Sequence, residues 1–270
     1  MARVEKANSL KVKALNPADD ISLINQHSIR ELSPDEVYCF SVVMCDNDID
    51  RDLERFTDKT LEDLAPMFVG KTVISDHYWS AGGQIARIYA TEVQTSTEKN
   101  TAGIPLKQLV CKAYMLNNEA NKATIEAIEG GILKEVSVGC AVGQHNCSLC
   151  GTPMAFNWSS WLYECSNHHQ KGETYPGEGQ CIMLLEEAKD AYELSFVAVP
   201  AQRNAGVTKG AENLDEAFDV LLSCPDLSDH PKFGELLTHM QQSTMKAVDR
   251  EERRKILADN AKIIKIHERK

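Results

Sequence analysis

Residues 132–142 read ILKEVSVGCAV, and the way their side chains alternate decides what kind of chain this is. Val136, Val138, Cys140 and Val142 fall on one face of an extended segment, with Glu135, Ser137 and Gly139 on the other. That is the period-2 pattern of a half-buried β-strand. A hydroxyl in the middle of such a strand is held on a rigid element. Ser137 is therefore either an ordinary strand hydroxyl or a positioned nucleophile.

The neighbouring sequence repeats the β signal. VYCFSVVMC (37–45), KTVIS (71–75), QIARIYATEV (84–93), PLKQLVCKAYML (105–116) and DAYELSFVAVPA (190–201) are rich in β-branched and aromatic residues, the composition of strands. Helices interrupt them. In 57–70, Leu61, Leu64, Ala65 and Phe68 share a face, Gly70 suits the position just beyond a helix end, and Pro66 should bend the helix. Residues 117–131 read as a helix stopped by Gly130-Gly131, delivering the chain to the Ser137 strand. Ser33-Pro34-Asp35-Glu36 resembles a capping box, but a strand pattern follows at once, so the cap is discounted. Asn213 suits an N-cap, with Leu214, Phe218 and Leu221 on one face, so 213–223 and about 233–260 read as helices. The expected fold class is a β-rich α+β protein. It has an N-terminal extension at 1–34, partly disordered, a core at 35–210 and a helical region at 211–270.

Composition excludes several classes. No apolar run approaches the roughly 18 residues of a membrane span, and the charged N-terminus lacks the apolar stretch of a secretory signal. A cytoplasmic protein is expected. The chain of 270 residues carries a net charge of −11. Residues 246–270 contribute nine Lys/Arg against five Asp/Glu, which leaves about −15 on the remainder. An acidic body is a poor partner for phosphates. The nine cysteines, at 39, 45, 111, 140, 147, 150, 165, 181 and 224, form an odd set that suits core thiols plus a metal cluster better than disulfides in a reducing compartment.

That cluster is visible in 143–182, where hydrophobic periodicity stops. Cys147-x2-Cys150, a 14-residue gap, and Cys165 followed by His168 and His169 match the spacing of a tetrahedral Zn2+ site. Four protein ligands fill the shell, so the expected zinc is structural, supplying stability to a segment too poor in apolar residues to fold alone. Either histidine can complete the set, and Cys181 is a further candidate ligand. A zinc ribbon also admits a nucleic-acid-binding reading, but no basic cluster accompanies it within 143–182.

A serine becomes nucleophilic when a base takes its proton and a third group orients that base. His77 follows the strand VIS, Ser137 lies within one, and Glu193 lies in AYELSFVAV. Taken singly, each is ordinarily a surface or satisfied residue, and spacing alone does not bring them together.

In this order, VISDH (73–77), AGGQIARIY (81–89), KEVSVGCAV (134–142) and ELSFVAVPAQRNAGV (193–207) resemble the bacteriophage prohead, or capsid maturation, serine protease family. That family shares the assemblin fold of herpesvirus maturation proteases. The resemblance spans about residues 35–210, and its last motif is the most specific. It implies a closed β-barrel surrounded by helices, with a small zinc-ribbon insertion at 143–182. It implies Ser137 as nucleophile, His77 as general base and Glu193 as the third member, with Asp190 as the competing acid. Herpesvirus relatives have a second histidine in that third place, and an aromatic often follows the Gly of the serine motif where this chain has Cys140. Oxyanion donors are expected near Pro200-Ala201-Gln202-Arg203. A subgroup with a Cys/His insert favours Cys147, Cys150, Cys165 and His169 as metal ligands. The implied activity is that of an endopeptidase inside the immature head, in the host cytoplasm, cleaving scaffold or capsid-protein segments and itself. It is expected to be a homo-oligomer such as a dimer, with 211–270 making assembly contacts or being removed. The alternatives are an inactive structural or scaffolding protein of the same fold and a zinc-ribbon nucleic-acid binder.

Overall fold

A computed structural model describes residue 15 and residues 17–208. The helices expected at 213–223 and 233–260 lie outside the described residues. Twelve strands and three α-helices are found among those described. In chain order they are α1 (Pro17–Ile24), β1 (Val37–Asp46), β2 (Glu54–Phe56), α2 (Asp58–Phe68), β3 (Thr72–Ser75), β4 (Ala86–Lys99), β5 (Pro105–Leu116), α3 (Lys122–Glu129), β6 (Val136–Cys147), β7 (Met154–Asn157), β8 (Leu162–Cys165), β9 (Thr174–Tyr175), β10 (Gly179–Gln180), β11 (Met183–Phe196) and β12 (Gly206–Thr208).

The fold is β-rich α+β. One eight-stranded mixed sheet runs β12-β1-β5-β4-β3-β11-β2, and β6 joins it by pairing with β11. β11 is the hub. One edge forms a long antiparallel ladder with β6, from Met183–Cys147 to Phe196–Val136. The other edge pairs in parallel with β2 at its start and with β3 at its end. The expected closed barrel is corrected: the strand ladders form an open sheet. Between β6 and β12 there is only an isolated bridge, Glu135–Gly206, beside a 2.7 Å hydrogen bond from Val207 N to Lys134 O. β12 has three residues, too few to carry a closing ladder along β6. The expected ring of helices also shrinks, among the described residues, to one substantial helix and two of eight residues each.

α2 carries the core. Thr57 caps it by accepting from Thr60 N. Leu61, Leu64 and Phe68 are fully buried, together with Val42, Ile88, Leu109, Val136 and Leu194 from the sheet. Pro66 falls in the last turn, and the helix runs on to Phe68. Gly70 follows with φ +81°, donating to Ile88 O, as its place beyond the helix end predicts.

Two local expectations change. Residues 34–36 form a 3-10 turn in which Glu36 accepts from Ser33 N and Ser33 Oγ, both at 3.0 Å, so the discounted capping turn and the strand after it coexist. Within the extension, the described residues include α1. Ile24 is buried with Leu32, Val37, Tyr89 and Tyr114, and Asp20 accepts from Tyr89 Oη at 2.9 Å and Lys112 Nζ at 2.8 Å. A short helix pinned by polar contacts to strands some 70 and 90 residues away has little periodicity to reveal it. β6 starts at Val136, later than read, and runs to Cys147. The Cys/His segment thus forms the connection between β6 and β11.

Candidate active site and metal centre

The register of three strands assembles the first site. Ile74, Ser195 and Ser137 lie side by side across β3, β11 and β6, and so do Thr72, Glu193 and Gly139. Val136, Leu194 and Phe196 point into the core. By alternation Ser137, Gly139, Glu193 and Ser195 share the opposite face. The chain leaving β3 folds back over that face through two consecutive left-handed residues, Asp76 and His77, each with φ +53°. Such a backbone is costly for residues with side chains, of order 1 kcal/mol or more each. Two hydrogen bonds from β11 hold it: Asp76 N to Phe196 O at 2.9 Å and His77 N to Ser195 Oγ at 2.8 Å.

This turn brings His77 Nδ1 to 2.7 Å from Glu193 Oε1. The Glu193 side chain is 3% exposed and that of His77 is 43% exposed, so the carboxylate lies beneath the imidazole and the far edge of the ring faces outward. Gly139 makes room for this. A Cβ there would run into Glu193 Oε1, with Cδ and Cγ of the same side chain close behind. Ser137 is half-buried on the same face, next to Ser195 across the ladder. Among the described residues its Oγ has no hydrogen bond to His77. The fold therefore joins His77 to Glu193 and sets Ser137 one strand away on the same surface. Asp190 does not compete, because it pairs with Lys71 at 3.5 Å and accepts from Ala191 N. The nearby thiol of Cys140 is no alternative nucleophile. Burial, with the Glu193 charge adding to it, pushes it up to about 11.

The 200–203 loop is tied to Asp46 and Arg51. Pro200 O and Ala201 O accept from Arg51 Nε and Arg51 N, Gln202 Oε1 accepts from Asp46 N, and Arg203 is exposed. Among the described residues none of these groups bonds to Ser137, His77 or Glu193. Ser195 and Gly139 are the site residues that sequence reasoning passed over. Both were within reach of the period-2 rule, since Ser195 is two residues from Glu193 and Gly139 two from Ser137.

The second site is the Cys/His cluster. The ligand atoms of Cys147, Cys150, Cys165 and His169 all lie within 4.8 Å of one another. Cys147 Sγ is 3.5 Å from His169 Nδ1, and Cys150 Sγ is 3.6 Å from Cys165 Sγ. A tetrahedral ion with metal–sulfur and metal–nitrogen bonds of usual length sets such edges at about 3.6–3.8 Å, so these residues can hold one. Two tight turns shape the donors: Gly151 N bonds Cys147 O at 2.8 Å, and His168 N bonds Cys165 O at 2.9 Å. The β7–β8 hairpin joins them, pairing Met154 with Cys165. The hydroxyl and amide of Thr152 hold the Cys150 thiol down at about 5, favouring the thiolate that a metal binds. His168 is turned outward to Glu164, 2.8 Å from Nδ1 to Oε1 and 88% exposed, which leaves His169 as the histidine in the cluster. Cys181 is buried with Sγ 3.6 Å from Cys147 Sγ, and burial pushes its thiol up to about 12. It borders the four as a neighbouring donor.

No helix among the described residues is long and apolar enough to cross a membrane. The chain matches no protein-family model, no curated protein and no solved structure.

Proposed function

We propose that this chain is a serine endopeptidase whose triad is Ser137, His77 and Glu193. The observation that carries the reading is the 2.7 Å contact between His77 Nδ1 and the buried Glu193 carboxylate, on the sheet face that also bears Ser137. A carboxylate on Nδ1 fixes the tautomer, leaving Nε2 free to accept a proton. In the proposed reaction Ser137 Oγ attacks the scissile carbonyl as His77 Nε2 takes its proton. The imidazolium, stabilised by Glu193, returns that proton to the leaving amine, and water releases the acyl-serine by the same path in reverse. The motif resemblance adds the biological setting: scaffold or capsid-protein segments as substrates, self-cleavage, an assemblin-like core, oligomeric assembly and a place within an immature phage head. The Cys147, Cys150, Cys165 and His169 set suits structural Zn2+, whose filled shell leaves no position for activated water.

The test is Ser137→Ala. Processing of a co-expressed scaffold, or of the chain itself, should fall by at least about 10^3-fold with the circular dichroism spectrum unchanged. Undiminished processing refutes the triad. One observation favours a second reading: Ser137 Oγ makes no hydrogen bond to His77 among the described residues. A non-enzymatic structural protein of this fold would also have that geometry. It predicts that a fluorophosphonate labels nothing, whereas the peptidase reading predicts labelling at Ser137 that disappears in the alanine variant. The net charge of −11 weighs against the nucleic-acid-binding alternative.

A further inference from the structure

Beside the His77–Glu193 pair, on the β3 side, lies a groove of about 440 Å3 lined by Lys71, Thr72, Trp79, Gln84, Tyr192 and Glu193. Two features distinguish it from an accidental hollow. The first is its aromatic wall. Trp79 and Tyr192 are both exposed, at 68% and 40%, with ring centres 5.5 Å apart and planes inclined by 56°. The second is an unclaimed charge. Glu193 Oε1 is bonded to His77, but Oε2 is buried without a hydrogen-bond partner. Glu193 itself lines this groove, and its Oε1, Cδ and Cγ are the three atoms nearest to a Cβ built at Gly139 on the β6 side. A buried carboxylate oxygen without a donor costs free energy until a donor reaches it. Lys71 does not do so, because it is paired with Asp190 at 3.5 Å.

The geometry points to a recognition subsite for a basic side chain, arginine or lysine, of an extended peptide, its cation packed against Trp79 and Tyr192 and donating to Glu193 Oε2. Aromatic faces and a carboxylate together are what a guanidinium or ammonium group recognises. The inference rests on the peptidase reading for its register. β3 and β6 are two strand spacings apart, about 10 Å, which an extended peptide covers in about three residues. The basic residue thus lies about three positions from the bond presented to Ser137. Filling the subsite also completes the hydrogen bonding of Glu193, so an occupied groove holds the carboxylate in the orientation that serves His77.

The test uses the full chain carrying Ser137→Ala, which binds peptides without cutting them. Acetylated alanine-based hexapeptide amides with a single arginine, citrulline or leucine are titrated while the Trp79 indole N–H is followed by NMR. The arginine peptide should bind about tenfold more tightly than its neutral citrulline counterpart, move the Trp79 signal, and lose its advantage in Trp79→Ala. Equal affinities for the three peptides, binding that leaves Trp79 unmoved, or no binding at millimolar peptide would each overturn the subsite, leaving water as the donor to Oε2. The same peptides given to the unmutated chain separate the two ideas. Cleavage indifferent to arginine removes the subsite and keeps the peptidase. Arginine-selective binding without any cleavage keeps the subsite and removes the peptidase.

Discussion

Ser195 acts on the histidine through its backbone. Its hydroxyl, fully buried, accepts the His77 amide at 2.8 Å and so helps to hold a left-handed residue that would otherwise relax. Replacing it with alanine removes that acceptor and frees the turn. If the peptidase reading holds, Ser195→Ala should lower kcat by about 10- to 100-fold with little change in KM, since a displacement near 1 Å is enough for such a loss. The His77 ring resonances should shift while the melting profile moves only slightly, and an unchanged kcat with unmoved His77 signals would reduce Ser195 to a packing residue. The acid assignment has an equally local test. Glu193→Gln should cut turnover by about 10^3- to 10^4-fold, the scale for losing the carboxylate that orients a catalytic histidine. Asp190→Asn, which touches a pair with Lys71 and a bond from Ala191 N, should stay within about threefold. Equal effects of the two would show that the His77–Glu193 contact is not what matters. At this scale the sequence was a good guide to residue types and a poor one to contacts. Glu193 and Asp190 lie on the same strand three residues apart, and it is the register setting Glu193 beside Thr72 and Gly139, and Asp190 beside Ala141, that decides which carboxylate meets the histidine.

The elements differ in how openly their sequence declares them. β5 spans Pro105–Leu116, as its β-branched and aromatic run indicates, and α2 carries its apolar stripe on the predicted face. α1 was hidden, because contacts with Tyr89 and Lys112 hold it where its own periodicity is weak, whereas the turn at 34–36 was signalled by its capping box. The Cys/His segment was legible in its ligand spacing but not in its choice of histidine. His168 and His169 are adjacent, and only the φ of +63° at His168 turns one outward and leaves the other in the cluster. His169→Ala should therefore abolish stoichiometric metal binding, about one ion per chain in the parent, whereas His168→Ala should retain it. Elemental analysis of the purified variants checks this. Retention by His169→Ala would mean that Cys181, 3.6 Å from Cys147, takes the vacated place.

Among the described residues, the main sheet and the Cys/His segment differ in what stabilises them. The large sheet buries its apolar face under α2, and burial of that kind is independent of any ligand. The β7–β8 and β9–β10 hairpins lie off the main sheet and pair over only four and two residues each, so a metal ion held by the Cys/His cluster would add to their support. A strong chelator should thus release amide protection across residues 148–182 and fray the adjoining ends of β6 and β11, while β1, β4 and β5 keep theirs in hydrogen-exchange measurements. Loss of protection throughout the sheet would show instead that the metal segment and the core fold as one unit.

What the sequence determined by itself was chemistry and local shape: the β-rich class, the apolar face of α2, the donor types of the metal cluster, and a histidine, a serine and an acid embedded in β segments. These follow from composition and from periods of 2 and 3.6 residues, which act over short stretches of chain. Tertiary structure alone decided that the sheet stays open, that Glu193 rather than Asp190 meets His77, and that the Ser195 hydroxyl accepts from the His77 amide. Those outcomes depend on strand register and on a strained turn held across 118 residues of sequence, and pairings of that range leave no local pattern to read.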